Sequence, residues 1–275
     1  MATGALAQRA YGRRSREANS QVLIVIDPTA RQTDGESVRI ARDVLCAGAS
    51  GAKVCVLDRS QGMTHALLKR GDRRVVIVGD DRALLRAVGV LHSRGELAAS
   101  PLGVVPVGPG PSVAVARALG VPTDAVAASR AVLSGADRRL DVLTDDAGDV
   151  VLGALGIPAP RRGPGAALWW RAKHPVRQRL RVEADGRLLA DVDRPVSEVS
   201  VRAANGLAEV VVRHCPDGSD TSARATSVTV SGTPGAAFSY RANALDLGPT
   251  RTRTWTVRPG ALRLTVPKPR SATLG

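Results

Sequence analysis

The chain has 275 residues, 39 of them Lys or Arg against 25 Asp or Glu, a formal charge of +14, and only 2% aromatic residues. That length supplies core for one large domain or two ordinary ones, and so few aromatics exclude a base-stacking nucleic-acid platform. Arginine is spread along the whole chain, so the positive charge reads as solvated surface and no specific nucleic-acid partner is expected.

Cys46, Cys55 and Cys215 lack C-x-x-C spacing, and His65, His92, His174 and His214 are scattered. Neither a disulfide framework, a zinc site nor a histidine-centred triad is indicated. No apolar run approaches the roughly 20 residues of a membrane span, and Met1–Ser20 carries four arginines without an apolar segment and cleavage site. These features predict a cytoplasmic chain with a disordered basic arm over residues 1–20, whose charge suits peripheral contact at the inner face of the membrane. A homo-oligomer is compatible with the sequence.

In chain order, Gln21–Asp27 reads as a buried strand ending on Asp27-Pro28, where the chain turns into a polar loop. Ser37–Ala47 has helix spacing, Lys53–Leu57 is a short strand and His65–Lys69 a short helix. Val75–Val78 is a run of four β-branched residues that stops on Gly79-Asp80-Asp81. Such a run favours a strand buried on both faces, and its C-terminal end is where open α/β sheets place ligands. Leu84–Leu91 continues as a helix, giving strand, acidic turn, helix. Gly-Asp-Asp is also ordinary turn chemistry, and that reading stays open. Leu102–Pro106 is a further strand, closed by Val107-Gly108-Pro109-Gly110-Pro111, with a helix over Ser112–Leu119 that Ser112 is placed to cap. Asp124–Leu133 forms another helix stopped by Gly135, and Leu140–Leu143 begins a new strand. Alternating strands and helices predict a Rossmann-like parallel α/β domain over residues 21–145.

Residues 146–275 change character. A Pro, Gly and Arg-rich loop at Pro158–Gly165 precedes short alternating runs separated by Asp185-Gly186, Asn205-Gly206 and Asp217-Gly218. That is hairpin grammar and predicts an antiparallel, sandwich-like β domain. Its eight expected strands include Leu180–Val182, Thr254–Val257 and Leu262–Val266. Trp169-Trp170 with Arg171, Lys173 and His174 suits either a membrane interface or a plug between domains.

Glycine turns at strand ends let backbone N–H groups close on phosphate oxygens, and a neighbouring carboxylate can hold a bridging Mg²⁺. Here Asp27-Pro28-Thr29-Ala30-Arg31, Gly79-Asp80-Asp81-Arg82-Ala83 and Pro106-Val107-Gly108-Pro109-Gly110 occur in that order, followed by Ala116-Arg117-Ala118-Leu119-Gly120-Val121-Pro122. Gly135-Ala136-Asp137-Arg138-Arg139-Leu140-Asp141-Val142 and Arg258-Pro259-Gly260-Ala261-Leu262-Arg263-Leu264-Thr265-Val266-Pro267 come later. The series resembles the diacylglycerol kinase-like lipid kinases, whose catalytic domain is related to that of the NAD kinases. In that family the turns read N-P-x-S-G, G-G-D-G-T and P-L-G-T-G-N-D, with A-R-A-L-G-I-P, G-x-x-R-x-I-D-V and P-G-A-L-x-V-x-V-P after them. The resemblance implies the two-domain fold and ATP-dependent transfer of a phosphoryl group to a lipid hydroxyl, with the nucleotide in a cleft between domains. It also implies nucleotide contacts from Asp27, Gly79, Asp80, Asp81, Gly108 and Gly110, and Mg²⁺ on Asp81.

Three departures accompany it. Asp80, Arg82 and Ala83 stand where the family's turn has glycine, glycine and threonine, and Pro109 and Pro111 supply no N–H to the second turn. The family's D-G-E base falls on Leu245, which cannot accept a proton, leaving Asp246 as the local substitute. A second reading is therefore a pseudokinase-like scaffold that binds nucleotide, lipid or a protein partner.

Overall fold

The computed structural model describes residues 21–58, 62–99, 101–158 and 177–268. The basic arm, the Ala159–Gly165 part of the arginine-rich loop and the Trp169-Trp170 cluster lie outside them. The chain divides into two compact units. The first runs to Arg139 and resumes at Leu262, and the second is Leu140–Ala261. The sequence places the whole C-terminal region in the β domain, whereas Leu262–Lys268 belong to the first unit. The tie is main-chain: Leu102 N–H donates to the Arg263 carbonyl (2.8 Å) and Thr265 N–H to the Leu102 carbonyl (3.0 Å). Asp137 then accepts from Arg263 and from the Thr265 hydroxyl, both at 3.1 Å. Gly135 is required at this return, because a Cβ there would lie 2.3 Å from the Val266 carbonyl oxygen.

The first unit is built on β1 (Gln21–Ile26), β2 (Gly51–Val56), β3 (Arg74–Gly79) and β4 (Gly103–Pro106), all parallel, in the spatial order β2-β1-β3-β4. Every residue of β3 and β4 is buried, as the β-branched run predicts. Helices α1 (Pro28–Thr33), α2 (Gly35–Gly48), α3 (Met63–Leu68), α4 (Asp81–Ser93), α5 (Ala114–Ala118) and α6 (Ala125–Ser134) connect or cover the strands. The polar loop expected after Asp27 is instead α1. Asp27 caps it and Pro28 opens it, the position where a missing N–H costs nothing. Val38, Ala41 and Leu45 of α2 pack on Val22, Ile24 and Ile26 of β1, with Ala128 and Val132 of α6 in the same core.

The second unit holds two antiparallel sheets. One has the order β12-β11-β10-β7-β14-β15 and the other β6-β5-β16-β13-β8-β9. Their strands are β5 (Ala136–Asp145), β6 (Val150–Val151), β7 (Ala154–Ile157), β8 (Leu180–Ala184), β9 (Arg187–Ala190), β10 (Val196–Ala204), β11 (Leu207–His214), β12 (Asp220–Ala225), β13 (Ser227–Gly232), β14 (Phe238–Ala242), β15 (Leu245–Thr250) and β16 (Thr252–Val266). Side chains from both sheets share one core, in which Trp255 is fully buried and meets Tyr240 edge-on at 5.2 Å. Asp185-Gly186 and Asn205-Gly206 have positive φ at both residues, the backbone of two-residue hairpins. The two strands expected at Thr254–Val257 and Leu262–Val266 are one: β16 continues through Pro259-Gly260. No helix among the described residues is long and apolar enough to cross a membrane.

At the end of β11, His214 is 2% exposed, and its Nε2 lies 2.9 Å from the Thr221 hydroxyl. Burial, followed by the charge of Arg194, holds its pKa below the ordinary 6.5, against the opposing pull of Asp217 and Asp220. The folded ring therefore stays neutral where the unfolded one protonates, so its stabilising contribution is complete above 6.5 and is lost as pH falls. The denaturant midpoint should decline from about pH 7.5 to about pH 5.5, and His214→Gln should flatten that decline; an unchanged slope would exclude His214 as its source.

Candidate functional site

Most sequence-predicted site residues meet at the C-terminal ends of β1, β3 and β4. Asp27 follows β1, and its N–H donates to the Val78 carbonyl (3.0 Å), which holds it beside the end of β3. It is 2% exposed. One carboxylate oxygen accepts from the Thr29 N–H at 2.9 Å, and the other pairs with Arg86 of α4. A short acidic side chain followed by proline explains the cap. Nothing in the sequence marks Arg86, because it lies one and a half turns into α4, outside any motif.

Gly79 ends β3, and its carbonyl accepts from the Val107 N–H at 3.0 Å. A Cβ on it would lie 2.8 Å from the Ala83 Cβ and 3.0 Å from the Asp27 Cβ. The space beside this glycine is thus taken by the chain's own side chains. Gly108 has φ +144°, and a Cβ there would meet the Ser112 hydroxyl at 2.6 Å and the Asp80 Cβ at 3.8 Å. The second turn therefore lies beside Asp80 of the first. Gly110 is exposed, and its carbonyl accepts from Arg117 at 3.0 Å.

The two carboxylates of Gly79-Asp80-Asp81 have different tasks. Asp80 caps α4, accepting from the Ala83 N–H at 3.0 Å. Asp81, the first residue of α4, is 5% exposed and turns away from its own helix. Its two oxygens accept from Val115 N–H (2.7 Å) and Ala116 N–H (3.0 Å) in the first turn of α5. Those donors have no partner inside their own helix. The expected cap, Ser112, lies in a 3₁₀ turn over Gly110–Val113, and its hydroxyl donates to the Pro109 carbonyl at 2.8 Å. Two prolines shorten and tighten the approach to α5, so the capping group comes from Asp81 instead. Burial raises the Asp81 pKa above 3.8, and the two N–H bonds oppose that shift. Asp80 adds to the rise and Arg117 to the opposition.

Asp246 lies in the other unit. It is on β15 and pairs with Arg241 of β14 at 2.8 Å. The hairpin between them turns on Asn243 and Ala244, with φ of 52° and 59°. Its backbone is that of a two-residue turn made for glycine at the second position, yet alanine stands there.

A bound divalent cation needs carboxylate oxygens that face an open space. Both Asp81 oxygens face the α5 amides, Asp27 faces Arg86, and no group of three or more His, Cys, Asp or Glu side chains among the described residues suits a metal. These residues do not fit a protein-held Mg²⁺. At Gly79 and Gly108 a side chain would collide with Ala83, Asp27 or Ser112, so the packing of the corner itself requires glycine at both turns.

No protein-family model matches the chain, and no curated protein does. Among solved structures, two described as "putative diacylglycerol kinase" from Bacillus anthracis str. Sterne are similar to it, each with a TM-score of 0.70. A third, a diacylglycerol kinase from the same organism, has a TM-score of 0.67. All three are 14% identical to this chain, cover 90% of it and are themselves covered to 97%. The fold is diacylglycerol kinase-like. Within this diacylglycerol kinase-like fold the acidic turn is present, and its aspartate is used to hold two turns of the chain together.

Asp81→Asn should destabilise the protein by about 2 kcal/mol, because an amide has one acceptor oxygen and its NH₂ would oppose a buried N–H. Denaturant unfolding of the variant measures this, and unchanged stability would remove Asp81 from its structural role. Ala244→Gly should stabilise by about 1 kcal/mol, since glycine adopts positive φ without the steric cost of a Cβ; a thermal scan showing no gain would mean that the turn relaxes around alanine.

Proposed function

We propose that this protein is a lipid kinase-like binding protein that keeps the two-part diacylglycerol kinase-like scaffold without magnesium-dependent phosphoryl transfer. The observation that carries this reading is the Asp81 carboxylate, whose two oxygens are both committed to the Val115 and Ala116 amides. Phosphoryl transfer in a kinase is mostly positioning and neutralisation of phosphate charge by metal ions and backbone donors. Here the carboxylate is turned inward, and side chains stand against the turn glycines. Asp246, the substitute for the missing base at Leu245, is engaged by Arg241. Binding of a nucleotide or a lipid belongs to this reading as its ligand class, since scaffolds of this kind present both.

A lipid kinase is the second reading. It is favoured by the fold and by the meeting of Asp27, Gly79, Asp80, Asp81 and Gly108 at the C-terminal ends of the strands, where α/β sheets bind ligands. ATP and Mg²⁺ would then be its cofactors, and Asp81 would have to leave the α5 amides to reach a metal.

One experiment separates the two. The full chain is incubated with γ-labelled ATP, Mg²⁺ and mixed vesicles containing diacylglycerol, beside Asp81→Asn. The scaffold reading expects no lipid labelling above background in either protein, together with the stability loss already assigned to Asp81. Labelling by the wild type, abolished in a still-folded Asp81→Asn, would establish the kinase and overturn the scaffold.

A further inference from the structure

On the first unit, α2 and the edge strand β2 enclose a groove of about 380 Å³. That lies within the ordinary size range of small-ligand sites. The groove follows from how the sheet is covered. Helix α2 packs its Val38, Ala41 and Leu45 in one core with β1 and with Ala52 of β2, and the rest of that face of β2 is left partly bare. Residues two apart on a strand share a face, and Val54 and Val56 remain 37% and 39% exposed. They form the floor with Ile26 of β1 and Val38 of α2.

The rim is of one charge. Gly35, Val38, Arg39 and Arg42 lie at i, i+3, i+4 and i+7 of α2, a single stripe of the helix, and Arg31 of α1 joins them. No carboxylate lines the groove among the described residues. Arg39 pairs with Glu36 and Asp43, and Arg42 with Asp43, outside it. These pairs are half exposed, and such surface bridges contribute little, so their guanidinium groups can turn to another anion at small cost. Arg31 has no ion pair among the described residues, and it is exposed at the mouth.

We propose that this groove binds an amphipathic anion, an apolar chain ending in a phosphate or carboxylate. The valine and isoleucine floor takes the chain, and Arg31, Arg39 and Arg42 take the headgroup. Guanidinium groups suit both headgroups because their paired N–H donors match carboxylate and phosphate oxygens. The site uses none of the residues at the ends of β3 and β4, so it stands whether or not the protein transfers a phosphoryl group.

Gly35 provides a direct test. It is the first residue of α2, without positive φ, and a Cβ there meets nothing within 4 Å. Gly35→Leu therefore fills the mouth of the groove without disturbing the fold, which an unchanged melting temperature verifies. Binding of dodecyl phosphate, laurate, dodecyltrimethylammonium and inorganic phosphate is measured by calorimetry on the full chain without nucleotide, below micelle-forming concentrations. The two anionic amphiphiles should bind at least about tenfold more tightly than either the cationic amphiphile or inorganic phosphate. Gly35→Leu should weaken them about tenfold, and Arg31→Glu should reduce the preference for anion over cation by a similar factor. Equal binding of cation and anion, binding of inorganic phosphate as tight as that of dodecyl phosphate, or a folded Gly35→Leu that binds like wild type would each overturn the proposal.

Discussion

A single carboxylate holds the corner at the C-terminal ends of β3 and β4 in shape. Asp81 leaves its own helix and takes the N–H groups of Val115 and Ala116, the second and third residues of α5, so the acidic turn after β3 and the glycine-proline turn after β4 are fixed to each other. A buried N–H without an acceptor costs on the order of 1–3 kcal/mol, and two such donors make the link expensive to break. The rest of the corner is consistent with it. Ser112 is free of capping duty and lies beside Gly108, Ala83 packs against Gly79, and Asp80 serves α4 alone. In a magnesium site the same residue would look outward. Here its two hydrogen bonds hold it toward the protein against the cost of burying its charge.

The architecture of the first unit was legible in the sequence for a simple reason. Runs such as Val75–Val78 and Val22–Ile26 have no polar face, and only strands buried on both sides accept that composition. The hairpins of the second unit were legible where Asn-Gly or Asp-Gly supplied both positive-φ residues. Strand β7 was not, because it is four residues long, follows Gly153 and has Gly156 inside its apolar run. Strand β16 was read as two because Pro259-Gly260 ordinarily breaks a strand, whereas here the ladder resumes beyond it.

The site was legible as a place and not as a set of roles. Strand order and turn residues bring Asp27, Gly79, Asp80, Asp81 and Gly108 to one corner, which local pattern foretells. The roles depend on partners far along the chain: Asp81 is 34 residues from Val115, and Asp27 is 59 from Arg86. No local period encodes such pairs. The same holds for the groove beside β2, since the i, i+3, i+4, i+7 stripe of α2 is visible in sequence but the bareness of the edge strand beneath it is not.

The return of the last strand to the first unit has a consequence for how the protein is made. Synthesis proceeds from the N-terminus, and domains generally fold as they emerge. The sheet of the first unit is complete in sequence by Pro106, but Leu102 and Asp137 must wait for Arg263 and Thr265, which come after the whole of the second unit. Until then the main-chain groups of Leu102 that Arg263 and Thr265 will satisfy have only water. The first unit therefore begins its life unfinished, and residues made only after the whole of the second unit are the ones that close it.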